Sequence, residues 1–291
     1  MDGYISYLSA AILWGIPCIE TVIGKKITEG DAEEITVLDY RARNKAWLFG
    51  DGKKVHSCKL DLPDNAVIFR NGKMIASPEL LFVEFASKLS IQRLILLGLQ
   101  LCSHPHGRPS EAITTKQKLE TFLTKTSGYW GHRKAIRAVK YVENGSASIM
   151  ESLTYMILAL PHALGGYGLS GAVFNHEIRL LGEAKMRLGQ DFCFVDIYYK
   201  HKKVGVEYES YAFHSKPSDL GKDAVRSSVL QRKGIGMMHL STIQLYDRDA
   251  CRDFAYNLAA RLRKRIHIRT KKFDEMHNQL RQLLPDGKLG I

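Results

Sequence analysis

Residues 192–200 and 203–210 are two runs of β-branched and aromatic residues joined by the polar corner Lys200-His201-Lys202-Lys203, a pattern that folds into little other than a hairpin. With the corner centred on His201-Lys202, antiparallel pairing sets residues whose numbers sum to 403 opposite one another. Asp196 then faces Glu207, and the two-residue alternation of a strand brings Glu209 to the same side. Val195, Ile197, Val204, Val206 and Tyr208 supply the other side. Like charges gathered this way raise one another's pKa, a cost that a bound cation, a basic neighbour or a proton offsets. Oxygen ligands at such spacing suit Mg²⁺ or Mn²⁺, so one of those ions is the expected cofactor. A register slip of one residue would separate Asp196 from Glu207.

The flanking segments read as a mixed sheet with helices. Ala172–Leu181 is an expected strand, and Glu183–Gln190 a turn before the hairpin. A helix is expected from near Pro217 to Gly234, with Asp223 and Arg226 three apart on one face, followed by a strand over Ile235–Leu240. Ser146–Leu160 is an expected helix in which Ser148 and Glu151 have capping-box spacing. Leu245–Leu262 reads as a closing helix that runs into a basic stretch containing Arg263, Lys264 and Arg265.

In the first half, Tyr4–Gly15 reads as a short helix ending before Pro17. Short apolar runs between Glu34 and Ile75, divided by Asp51-Gly52, Pro63-Asp64 and Asn71-Gly72, predict a small antiparallel β unit. Ser77-Pro78-Glu79 opens two helices broken near Ser90, and His104–Pro109 is a loop. Helices follow over Thr114–Thr126 and Gly131–Val142, the second carrying Arg133, Lys134 and Arg137 where they could track a phosphate backbone. The expected architecture is therefore α/β in the α+β sense, with domains over 1–127 and 128–291.

The chain carries 42 Lys and Arg against 30 Asp and Glu, a formal charge of +12. That balance favours a polyanion, and no apolar run approaches the roughly 20 residues of a membrane helix. The expected partner is DNA, with RNA open and a membrane not expected. Five scattered cysteines without a C-x-x-C pair, and a start lacking a basic region before its apolar stretch, fit a reduced cytoplasmic setting.

The order V-D-I, V-E-Y-E-S, histidine, D-x-x-R, then L and G over residues 195–240 resembles a bacterial family related to the very-short-patch-repair (Vsr) endonuclease, which has the PD-(D/E)XK core. Upstream, Ser9–Pro17 and Ser77–Phe82 are similar to segments of the C-terminal part of AbiEi-type antitoxins, without the winged helix that commonly precedes it. The resemblance implies an αβββαβ restriction-endonuclease-like core and a metal-dependent DNA endonuclease. Asp196, Glu207 and the carbonyl of Tyr208 would hold the ion, with Glu151 and Glu209 completing or tuning the site. Glu209 stands where Lys or Asp is usual and Ser210 replaces a glycine, which makes His214 the expected proton-transfer residue and Arg226 the phosphate neutraliser. A noncatalytic DNA-binding regulator of a defence or toxin–antitoxin system is the alternative.

Overall fold

The computed structural model describes residues 3–38, 52–209 and 217–285, with the backbone alone for 217–223. His214, the side chain of Asp223 and the apolar run at 46–50 lie outside the described residues. The chain divides into two units, Met1–Ser103 with Glu111–Asn144, and His104–Ser110 with Gly145–Ile291. The long segment of the second unit begins at Gly145, and the His104–Ser110 loop belongs to the same unit.

The first unit contains β1 (Gly3–Ile5), α1 (Tyr7–Trp14), α2 (Ile19–Ile23), β2 (Glu33–Val37), β3 (Lys53–Ser57), β4 (Val67–Arg70), β5 (Lys73–Ala76), α3 (Pro78–Ala86), α4 (Ile91–Leu101), α5 (Lys116–Thr124) and α6 (His132–Val139). Its sheet runs β3-β2-β1-β5-β4. β1 is parallel to β5 and β2 to β3, so the expected all-antiparallel unit is instead mixed. The expected helix from Tyr4 begins only at Tyr7, because Tyr4 and Ile5 form the central strand. Two carboxylates satisfy the free N–H groups at the start of α1: Glu84 accepts from Tyr7 and Glu34 from Leu8. Burial pushes the Glu84 carboxyl up to about 8. Ser77 and Ser90 cap α3 and α4 through their hydroxyls, which sets the break between those helices.

The second unit contains α7 (Ile149–Ala159), β6 (Val173–Arg179), α8 (Glu183–Leu188), β7 (Phe192–Tyr199), β8 (Val204–Glu209), α9 (Pro217–Arg232), β9 (Gly236–Ser241), α10 (Thr242–Tyr246), α11 (Arg248–Arg261) and α12 (Phe273–Arg281). Its sheet is β6-β7-β8-β9, antiparallel except for the β8–β9 pair, which α9 connects as a crossover. Both units are mixed α and β. The turn expected over Glu183–Gln190 holds the short helix α8. The expected closing helix is broken where the Asp247 side chain caps α11, and the basic stretch from Arg263 to Lys272 is irregular rather than a continuation of that helix, with α12 following it.

The β7–β8 ladder pairs Ile197 with Val206, Tyr198 with Gly205 and Tyr199 with Val204, each pair summing to 403. Ile178, Leu180, Cys193, Val195, Tyr198, Val229, Leu230 and Ile235 close a core between this sheet and α9. Gly205 sits where a Cβ would come within 2.7 Å of the Val195 side chain and 2.5 Å of the Met237 sulfur. Gly205→Ala is therefore expected to destabilise the protein by about 1–3 kcal/mol in urea denaturation, overpacking outweighing the usual backbone gain of Gly→Ala; unchanged stability would contradict that packing.

Candidate functional site

Alternation along β7 slips beside the expected carboxylate cluster. The core under α9 takes Cys193, Val195 and Tyr198, a spacing of two and then three, so the phase shifts at Asp196-Ile197. Asn175 stands opposite Asp196, between the pairs Phe174–Ile197 and His176–Val195, and adopts φ +44. Such an irregularity re-aims side chains. Asp196 turns toward Glu151 of α7, whereas the two Glu207 oxygens are taken by the guanidinium of Arg226 on α9. The register expected from sequence is present, and the group of potential ligands that Asp196 joins holds His106 and Glu151, without Glu207.

The ladder stops at Ile197/Val206, and polar side chains occupy the gap beyond it. Asp196 Oδ2 accepts the Tyr208 N–H at 3.1 Å. Arg226, while forking onto Glu207, also donates to the Phe194 carbonyl. Burial lowers a guanidinium's pKa, but the Glu207 partner prevails and the Arg226 pKa is raised. Arg226 is thereby engaged inside the fold rather than offered to a phosphate.

Side chains that do converge are His106, Glu151 and Asp196, each presenting a ligand atom within 4.8 Å of the others. All three lie in the second unit. His106 arrives from the loop between α4 and α5, which the His104 N–H fastens to the Ser146 carbonyl at 3.1 Å. Its ring meets Phe194 edge to face at 5.3 Å. Glu151 is fixed from three directions: Ser148 Oγ reaches Oε1 at 3.0 Å, and the Ala147 N–H at 3.0 Å and Asn175 Nδ2 at 2.8 Å reach Oε2. The capping role expected of Glu151 therefore coexists with a place in the cluster, although its carboxylate caps Ala147 rather than Ser148. Asn175 Nδ2 also donates to the Gly145 carbonyl, whereas its buried Oδ1 has no hydrogen-bond partner among the described residues.

Asp196 carries an electrostatic cost at this position. Burial first, then Glu151 and Glu207, push its carboxyl up to about 7, against the lowering pull of the Tyr208 N–H and Arg226. One imidazole nitrogen and two carboxylate oxygens make a mixed donor set that fits a divalent ion.

The remaining candidates fall into different settings. Glu209 lies 2.7 Å from His239 Nδ1, which is also 4.0 Å from Glu207. The Tyr208 hydroxyl meets Thr242 Oγ1 at 2.8 Å, and no ligand role for its carbonyl is evident among the described residues. Arg133 and Arg137 are exposed, but Lys134 is tied to the Leu89 carbonyl at 2.8 Å. Lys264 is tied likewise to the Ser170 carbonyl at 2.6 Å, with Arg263 and Arg265 exposed beside it. Sequence reasoning missed His106, Asn175 and His239. Only Asn175 carried a readable signal, as a polar residue inside an apolar strand.

Comparisons with protein-family profiles, curated proteins and solved structures find no match to this chain.

An unfolded Asp196 loses its proton near 3.8, but the native residue keeps it up to about 7. Between those values the native state binds the extra proton, so stability falls as pH rises through the window and levels off above it. Removing the charge with Asp196→Asn should stabilise the metal-free protein at about pH 8 by on the order of 1–2 kcal/mol, with no gain at about pH 4. Urea denaturation in a chelating buffer measures this; a difference independent of pH would contradict it.

Proposed function

We propose that the second unit is a divalent-metal-dependent endonuclease acting on DNA phosphodiester bonds, with Asp196, Glu151 and His106 as the metal-holding residues. The observation that carries this reading is the convergence of those three side chains around a carboxyl whose pKa is raised to about 7. The element order α7-β6-α8-β7-β8-α9-β9 supports it: apart from the six-residue helix α8 inserted between β6 and β7, it follows the αβββαβ order that the resemblance to Vsr-related nucleases implies. A charge of +12 favours a polyanionic substrate.

A divalent ion held there supplies Lewis-acid polarisation of the phosphodiester and a more acidic water. The chain's own groups do the positioning. Asn175, Ser148 and the Ala147 N–H hold the Glu151 carboxylate in one orientation, and the Tyr208 N–H holds Asp196. Asp196 would hold such an ion as the carboxylate, which would couple loading to pH. His239, 2.7 Å from Glu209, is a described imidazole able to carry a proton at the end of β9, a role expected from sequence of His214. Glu207 acts through Arg226 as a closed ion pair that fills the gap in the sheet.

That closed pair also favours a second reading, a noncatalytic DNA-binding regulator in which the sheet is a scaffold. Incubation with supercoiled plasmid and Mn²⁺ separates the two. The nuclease reading expects nicking that Asp196→Ala abolishes and Asn175→Ala slows about 10- to 100-fold. Nicking that survives Asp196→Ala would overturn the site. Absence of nicking by the wild-type protein with a retained gel shift would favour the regulator.

A further inference from the structure

The first unit presents a surface that the nuclease reading does not use. Trp130 is 84 % exposed, more than any other large apolar side chain among the described residues. It is not at a loose end of the chain. The His132 N–H bonds the Tyr129 carbonyl at 3.0 Å, closing a turn with Trp130 at its second position and Gly131 at its third, with φ +89. A Cβ on Gly131 would fall 2.6 Å from the Ser87 nitrogen, so the turn is wedged against the end of α3. The Tyr129 hydroxyl donates to the Asp61 carbonyl at 2.6 Å. A firmly seated turn thus holds a large indole out in water, where its exposure costs free energy.

Helix α6 follows directly and divides cleanly by face. Ala135, Ala138 and Val139 are buried. On the flanks, His132 Nε2 and Lys134 Nζ each meet a main-chain carbonyl at 2.8 Å, those of Leu123 and Leu89. The outer stripe is Arg133, Ile136, Arg137 and Lys140, exposed residues three and four apart. None of its three cations has an ion-pair or hydrogen-bond partner among the described residues. No Asp or Glu occurs from Lys125 to Val142, and Glu143 beyond it is engaged by Lys116 at 3.1 Å. An ordinary solvated helix face mixes signs; this one is uniformly positive and headed by an indole.

We propose that Trp130 and the outer stripe of α6 form a binding site for single-stranded DNA, with an unpaired base stacked on Trp130 and phosphates along Arg133, Arg137 and Lys140. Charge complementarity selects a polyanion. The indole selects one that offers a free π-face, which a single strand has and a duplex keeps stacked inside. Ile136 lies between the cations and gives the sugar edge an apolar surface. The site needs no metal and does not rest on the nuclease reading.

The test uses the full chain in a chelating buffer. Binding of a labelled oligothymidylate of about twelve residues is followed by anisotropy, beside inorganic polyphosphate, which has charge but no bases. Trp130→Ala is expected to weaken oligothymidylate binding about tenfold or more and to leave polyphosphate binding unchanged. Arg133→Gln with Arg137→Gln should weaken both ligands and lower the logarithmic salt slope for the oligonucleotide by about 1.4. The exposure of all three side chains keeps these variants folded. Oligothymidylate affinity untouched by Trp130→Ala, or an equal loss for polyphosphate, would overturn the proposal.

Discussion

A carboxylate placed inside a sheet has to be neutralised, and the second unit does this in two ways at neighbouring positions on β7 and β8. Glu207 receives the fork of Arg226, which also takes the Phe194 carbonyl left open where the ladder stops. Breaking such a pair by deleting one partner leaves a buried charge, at a cost of about 3–5 kcal/mol. Among the described residues Asp196 has no basic partner of that kind. It keeps a proton to about 7 and has a single hydrogen bond among the described residues, from the Tyr208 N–H. The acid left without a counter-charge is the one that meets Glu151 and His106. The candidate site follows from that unequal division.

Much of the hairpin was legible because its signals are local. A polar corner and two apolar runs fix a register, and the observed pairs share the sum 403. The caps at Ser77, Ser90 and Ser148 are equally local, since hydroxyl and N–H are three residues apart. The side-chain phase at Asp196 was not legible. It depends on a left-handed Asn175 across the sheet and on which residues the core under α9 takes, both long-range facts. His106 was hidden for a related reason: a histidine between Pro105 and Gly107 says loop, and only the tether from His104 to Ser146 brings it beside α7. Tyr4 and Ile5 read as helix because their burial as a strand depends on β2 and β5, neither of which is a near neighbour in sequence.

Basic residues show the same limit. Lys134 and Lys264 look like their neighbours in the sequence, but each spends its ammonium on a main-chain carbonyl, and Arg226 spends its guanidinium inside the sheet. Net charge therefore overstates what the molecule offers a polyanion. What remains on α6 is smaller and more specific in kind, because an exposed indole accompanies it.

The central claim is that a nitrogen donor far from the hairpin joins two carboxylates at one divalent site. Electron spin-echo envelope modulation on the Mn²⁺-loaded protein tests this without reference to activity, since a coordinated imidazole imprints a nitrogen coupling on the signal and an oxygen-only site does not. The account predicts that coupling in the wild-type protein and its loss in His106→Gln. A bound ion without the coupling, or with it undiminished in His106→Gln, would contradict the account.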